Sequence, residues 1–597
     1  LIVSGEMHYA RIPREYWTAR FRTARAMGLN TLSTYVFWNV HEPSAAVFDF
    51  SGWRDIAAFV IEAQTAGLNI ILRPGPYVCA EWDFGSLPAW LLAGDDLGVR
   101  TADDRFMRFV RRWFARLGQE LAPLQRSRGG PIVAVQLENE AGAAGNDRSY
   151  LVALRAALDD AGLGESPYFT IDQPQDVAAE GLPGVGVAMT WGAGSAGTGL
   201  EQLRRAVPEG PLFCGEYWAG WYDYWGEPRR PLDDASQAAE LAAMLAANCS
   251  LNVYMIHGGT NFGFWNGANA CDALPYRPVT TSYDYHAAID EAGRTTPKYH
   301  RFRSAIAAAT GVEPPPLGDE PSTIALPEFR LEECASLREL CGAGIATEEP
   351  QTMEYYGQGY GYILYRTEIQ GPQIAMLEFA DLRDYAVVFV NGVVEGRLDR
   401  RLGQRKLELR CPGQRAHLDI LVENGGRINY GGYLARDRKG AVGPVLYANA
   451  ALRDWTAHPL PMNDLAALRF AAERSDAPHF QRGYFEVDRR ADSFLDVSSL
   501  GKGTLWVNGH HLGRFWNIGP QRSLYLPGVW LKRGRNEVIA FDLLPRVRPA
   551  LRGGTEPLFD QPDRKVVSTL PLGVCCAACH AKGEAHGLAV RQNRMPP

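Results

Sequence analysis

Apolar and polar positions give the two halves of this chain different rhythms. Over residues 1–310, short apolar runs alternate with longer stretches whose apolar residues recur at helical spacing. The runs predict strands over Ile2–Gly5, Thr31–Trp38, Asn69–Pro74, Pro131–Leu137, Tyr168–Asp172, Val185–Thr190, Pro211–Glu216 and Leu251–His257. The longer stretches predict helices over Arg14–Met27, Trp53–Ala66, Asp103–Leu121, Arg148–Ala161, Glu201–Ala206, Ala235–Ala247 and Pro297–Ala309. Gly28 and Gly67 stand just past the first two helices, where a chain leaving a helix favours left-handed backbone. Eight strands, each followed by a helical stretch, is the arithmetic of a (β/α)8 barrel over residues 1–312. The weakest pattern follows Asp172, where Pro174, Pro183 and several glycines leave the fifth helix undefined.

Gly311–Pro327 is proline-rich and reads as the exit from the barrel, a linker over 313–328. Beyond it, helical periodicity fades into short strands separated by turn residues. Asn391-Gly392 and Asn508-Gly509 are hairpin signals within two similar stretches, VFVNGVVEGRL and LWVNGHHLGRF. They predict two related all-β sandwich modules of the jelly-roll or galactose-binding kind, over 329–480 and 481–548. The fold class is therefore a multidomain chain: an N-terminal TIM barrel, two all-β modules and a tail over 549–597 without a clear pattern.

The 597 residues exceed what one hydrophobic core organises. A net charge of −7 argues against a nucleic-acid or anionic-membrane partner, and no apolar run is long enough to span a bilayer. The chain opens on Leu1-Ile2-Val3, already in a strand pattern and without an initiator Met or a secretion signal, so the natural N-terminus is expected upstream and the compartment stays open. Its ten cysteines are scattered and read as buried thiols rather than as a disulfide framework. Cys576-Ala577-Ala578-Cys579-His580 matches the c-type haem attachment motif, but no helical surroundings offer a haem pocket, and neither haem nor zinc is expected there.

Candidate chemistry concentrates where apolar strands end in carboxylates. In GGPIVAVQLENEAG (129–142) the apolar run Ile132–Val135 gives way to Gln136, Glu138, Asn139 and Glu140. In PLFCGEY (211–217) another run delivers Glu216. Carboxylates are expensive in a core but belong at the carboxyl-end rim of a parallel barrel, where catalytic groups sit. For either stretch taken singly, solvated acids at a strand end explain the pattern equally well; together they suggest a carboxylate pair facing one pocket. Strand alternation does not choose between Glu138 and Glu140, which share a parity.

Read together, SGEMHYARIPREYW (4–17), TYVFWNVHEP (34–43), RPGPYVCAEWDFGSLPAWLL (73–92), GGPIVAVQLENE (129–140), GEYWAGWYDYWG (215–226), YMIHGGTNFGFWNGA (254–268) and TSYDYHAAIDEAG (281–293) resemble glycoside hydrolase family 35, a family of β-galactosidases. The resemblance implies a barrel that releases terminal β-linked galactose from an oligosaccharide or glycoconjugate, with retention of configuration and without metal or organic cofactor. It implies Glu140 as general acid/base, Glu216 as nucleophile, and Tyr35, Cys79, Ala80, Glu81, Asn139 and Tyr285 as sugar-binding positions. A retaining pair stands about 5–5.5 Å apart. Tyr285 is expected to reach Glu216 or the ring-oxygen region, and Trp218, Trp221 and Trp265 are candidate platforms for sugar or aglycone. His8, His41 and His257, with Glu6 and Glu42, read as hydrogen-bonded supports because no metal-ligand spacing joins them.

Three positions depart from the family pattern: Phe264 and Ala141 stand where tyrosine is common, and His286 where aspartate is. Two other readings fit the same scaffold, another exo-β-glycosidase such as an exo-β-glucosaminidase, or a non-catalytic galactoside-binding protein. A pure binder has no need of two close carboxylates, which disfavours the second.

Overall fold

The computed structural model describes residues 1–560 except 95, 146, 178–180, 230–231, 273 and 473–476. Eight parallel strands close a barrel: β1 (Val3–Met7), β2 (Thr31–Tyr35), β3 (Asn69–Arg73), β4 (Ile132–Gln136), β5 (Tyr168–Asp172), β6 (Val185–Gly192), β7 (Leu212–Trp218) and β8 (Cys249–His257). Ser4 aligns with Thr31 on one side and Asn252 on the other, which shuts the ring. Long helices cross back over Trp17–Ala26, Ile56–Thr65, Asp104–Leu121, Arg148–Asp160, Ala196–Ala206, Asp234–Ala246 and Pro297–Thr310. Asp55, Asp103, Asp147, Asp233 and Thr296 cap five of them by accepting backbone N–H bonds. Between β5 and β6 the described residues contain no helix, which fits the proline and glycine breakers of that segment.

Past the barrel mouth, β9 (Ala268–Cys271) and β10 (Leu274–Pro278) form a small hairpin. The first β module is a sandwich: one sheet orders 345–347, 455–460, 362–370, 415–423, 385–390 and 393–399, and the other 406–411, 373–383, 440–447 and 450–451. Both Asn-Gly turns close hairpins as expected, with positive φ at Asn391, Gly392, Asn508 and Gly509, the signature of a two-residue primed turn.

The module boundaries differ from the sequence reading. β11 (Leu326–Ser336), expected to span the end of the linker and the start of the first module, lies in the middle of the second module's eight-stranded sheet. It pairs with His479–Val487 on one side and Ala550–Gly554 on the other. The second module therefore takes one strand from before the first, and its last strand lies beyond residue 548, inside the expected tail. The reason is packing: Leu326, Phe329 and Leu331 enter the core built by Leu505, Val507, Phe515, Val538 and Leu551. The Cys576–His580 motif lies outside the described residues.

Candidate active site

All eight expected site residues line one open cavity at the carboxyl end of the barrel, about 530 Å³ in volume: Tyr35, Cys79, Ala80, Glu81, Asn139, Glu140, Glu216 and Tyr285. Its wall also holds Gln173, Trp218, Trp221, Tyr222, Tyr254, Asn269 and Tyr430. Strands β2 and β7 end in Tyr35 and Glu216–Trp218, and Asn139–Glu140 follow the end of β4, so parallel strands bring residues distant in sequence to one rim.

Strand parity does not hold to the end of the β4 segment, for a structural reason. The strand ends at Gln136, and Glu138 and Glu140 both adopt left-handed backbone, so alternation no longer applies to either. The Glu138 carboxylate accepts both arms of Arg100, Nε at 2.8 Å and Nη2 at 2.9 Å, and does not line the cavity. Arg100 Nη2 also donates to the carbonyls of Asn139 (2.7 Å) and Glu140 (3.0 Å). Glu138 and Arg100 thus brace the turn that presents Glu140. Nothing in the sequence signals this bidentate bracing, because a lone arginine in a loop before a helix is unremarked by any motif.

The Glu216 carboxylate is gripped from three sides. Its Oε1 accepts from Arg73 Nη2 at 2.5 Å and the Tyr35 hydroxyl at 2.9 Å, and its Oε2 from Trp218 Nε1 at 2.8 Å. The phenol that reaches Glu216 is thus that of Tyr35; Tyr285 packs instead against Tyr254 and Tyr283, with ring centroids 5.4 and 5.3 Å away. Arg73 also donates to Asn139 Oδ1 (3.0 Å), Gln136 Oε1 (2.5 Å) and Glu6 Oε2 (3.0 Å). Burial pushes the Glu6 carboxyl up, but Arg73 and the His8 hydrogen bond outweigh it and hold it at about 2, so an ionised Glu6 keeps Arg73 charged and in place. His8 and Glu6 form the supporting chain expected of them, and it runs through Arg73, which sequence alone does not mark out.

Glu140 sits in the opposite electrostatic setting. Burial and the charge of Glu216 push its carboxyl up to about 8, against a bond received from Gln173 Nε2 at 3.1 Å. One acid of the pair is protonated near neutrality beside a carboxylate held by a guanidinium. Burial also raises Glu81, to about 7, against the hydrogen bond from the Tyr283 hydroxyl and the charge of Arg11.

Cys79, Ala80 and Glu81 are three consecutive left-handed residues, a backbone that costs about 1–2 kcal/mol at each non-glycine position. The surroundings over-determine it. Arg11 Nη2 donates to the Ala80 carbonyl at 2.6 Å, Gly267 N–H to the Glu81 carbonyl at 2.7 Å, and Asn429 Nδ2 to Cys79 Sγ at 3.4 Å. Asn429 and Tyr430 belong to the turn after strand Arg415–Glu423 of the first β module. That turn is anchored to the barrel by buried Arg427, paired with Asp83 at 3.1 Å and with Glu354 of its own module at 2.5 Å. The cavity is therefore built by two domains, which barrel periodicity has no means of showing.

Trp265 does not line the cavity; it stacks on Trp82 at 5.3 Å. Phe264 packs at the domain junction against Tyr360 and His511, so its missing hydroxyl removes no cavity contact. Ala141 is buried beside the rim, and His286, whose Nδ1 lies 3.3 Å from the Trp221 carbonyl oxygen, stands behind the cavity wall. Among the described residues no group of three or more His, Cys, Asp or Glu is arranged to hold a metal ion.

Residues 1–309 match the family described as Glycosyl hydrolases family 35. The chain belongs to that family. Residues 350–461 match the first all-β domain of β-galactosidases, and residues 478–536 match their galactose-binding domain. The family-35 chain is 46% identical to a β-galactosidase of Xanthomonas manihotis over 528 residues, 88% of each chain. It is 39% identical to the human β-galactosidase-1-like protein 2, over 91% of this chain and 87% of that one. A β-galactosidase of Felis catus is 37% identical, over 88% and 83% of the two chains. As a member of family 35 the protein is a glycoside hydrolase. Among the described residues no helix is long and apolar enough to cross a membrane.

Proposed function

We propose that this family-35 hydrolase is an exo-acting, retaining β-galactosidase in which Glu216 is the nucleophile and Glu140 the general acid/base. The observation that carries the reading is the division of labour within one cavity: Glu216 is held by Arg73, Tyr35 and Trp218, while burial and the Glu216 charge keep a proton on Glu140. Raising the pKa of one acid through the charge of the other requires the two to lie near each other, and both line the same cavity.

In the first step Glu216 bonds to the anomeric carbon while the Glu140 proton passes to the departing glycosidic oxygen. The bond to the aglycone breaks and a galactosyl ester remains on Glu216. Esterification removes the negative charge of Glu216, one of the causes that hold Glu140 protonated. Glu140 then ionises more readily and takes a proton from the incoming water, whose oxygen attacks the anomeric carbon and frees Glu216. Two inversions leave the β-anomer.

Asn139 and Glu81 supply specificity. Asn139 Oδ1 is already taken by Arg73 and Gln136, which leaves its Nδ2 to donate to a sugar hydroxyl, the 2-hydroxyl by family resemblance. Glu81 offers a carboxyl group that can bond adjacent sugar hydroxyls, including the axial one that sets galactose apart from glucose. Aryl β-galactosides should be cleaved at least ten- to a hundredfold faster than aryl β-glucosides, the effect of one lost hydrogen bond to a charged group of about 1.5–3 kcal/mol. A panel of chromogenic β-glycosides tests this; equal rates, or a preference for β-glucosaminides, would overturn the substrate assignment while leaving the carboxylate roles standing.

A further inference from the structure

Gln173 follows β5 directly and stands at the rim facing Glu140. Its amide is oriented by three contacts. Gln175 Nε2 donates to its Oε1 at 2.9 Å, which turns the Gln173 NH2 toward the cavity. One N–H then reaches Glu140 Oε1 at 3.1 Å and the other the Tyr430 hydroxyl at 3.4 Å. Tyr430 comes from the first β module, is 9% exposed, and packs with the barrel core rather than with its own sandwich. A residue of the barrel and a residue of the neighbouring module therefore converge beside one oxygen of the acid/base.

Building on the role assigned to Glu140, we infer that Gln173, oriented by Tyr430, is a positioning residue that tunes Glu140 between its two tasks. The bond occupies Oε1 and so directs the transferable proton to Oε2. It also favours the ionised form, because an N–H donor stabilises a carboxylate more than a carboxylic acid. The first step needs Glu140 protonated and the second needs it ionised. A single neutral donor resists the upward push of burial without cancelling it, as an arginine in the same place would. The other titratable or charged groups acting on Glu140 are Glu216 and Asp172, which hold its proton on, and Arg100, which favours its loss. Cys79 and Tyr77 also face it, and burial keeps both uncharged. None of these groups changes when Gln173 is replaced.

The test is the pH dependence of turnover in Gln173→Met, which keeps the length of the side chain and removes the donor. The alkaline limb of kcat/KM should move up by about one pH unit. With an activated aryl galactoside, whose second step limits turnover, the acid limb of kcat should move up by about one pH unit, so that kcat falls up to about tenfold below that limb, while kcat/KM at neutral pH changes little. Tyr430→Phe should move the limb in the same direction by less, and the double variant no further than Gln173→Met, since both act through one bond. A merely structural role would lower rates evenly across pH and substrates, and that result, or an unmoved limb, would overturn the inference. Glu140→Gln separates this failure from that of the parent reading. If Glu140 is the acid/base, its replacement abolishes the alkaline limb whether or not Gln173 shifts it; a limb that survives in Glu140→Gln would overturn both assignments.

Discussion

Glu140→Gln should make the protein more stable, by an amount that grows with pH. The Glu140 carboxyl is raised from 4.5 to about 8 by burial and by Glu216. Between those values the unfolded chain has lost the proton and the native protein still holds it. The native state thus binds more protons, and stability falls as pH rises through this window. A tenfold difference in proton affinity between the two states is worth about 1.4 kcal/mol. This puts the deficit at ~3 kcal/mol at pH 7 and ~4 kcal/mol at pH 8, as upper limits for a cavity open to water. Glutamine keeps the shape and carries no charge to desolvate. Glu81 and Asp172 are also raised, each to about 7, and add to the pH dependence of both proteins, so they largely cancel in the difference. Urea midpoints of the two proteins from about pH 4.5 to about pH 8 measure it directly. The curves should nearly meet at the acid end and separate by several kcal/mol at the alkaline end, with the inactive variant the more stable. Parallel curves, or a variant less stable throughout, would refute the claim that Glu140 is held protonated at a cost to folding.

Glu216→Gln should abolish turnover of every substrate, whereas Glu140→Gln should retain most of its first-step rate on an activated aryl galactoside and form a β-galactosyl azide when azide is added; product analysis distinguishes them. Removing residues 561–597 should leave activity and melting temperature unchanged. Removing everything after Pro549 should unfold the second β module, because it deletes the strand Ala550–Gly554 and the Arg522–Asp560 pair; thermal melts compare the two. Arg427→Met should destabilise the protein by about 3–5 kcal/mol through the unpaired Asp83 and Glu354, and raise KM because Asn429 and Tyr430 ride on the same turn; denaturation and kinetics read the two effects.

The barrel is legible in the sequence because most of its strands carry apolar runs and longer helical stretches separate them, so the change of period marks nearly every element. The fifth crossover is not, because prolines and glycines there erase both periods. The Asn-Gly hairpins are legible from turn chemistry, but the order of strands is not: β11 pairs across almost 150 residues with His479–Val487, and no local pattern encodes a partner so distant. The candidate residues come from motif resemblance, and all eight meet in one cavity. What surrounds them is hidden. Arg73 reads in sequence as one residue near the end of a strand, Gln173 as part of a loop, and Tyr430 as one more tyrosine within the first β module. Their significance is three-dimensional, because each matters only through the carboxylate it approaches. Trp265 shows the converse: a tryptophan amid site motifs reads as a sugar platform and serves instead to stack on Trp82 behind the wall.

The central claim is that Glu216 forms the covalent bond to the sugar. A 2-fluoro-galactoside with a good leaving group slows both steps but spares the first enough for the galactosyl enzyme to accumulate. Proteolysis and mass spectrometry of the trapped protein then locate the ester. One sugar per chain is expected, on the peptide containing Glu216, with none in Glu216→Gln. A sugar on Glu140 or Glu81, or an α-anomer as first product with no adduct at all, would contradict the claim.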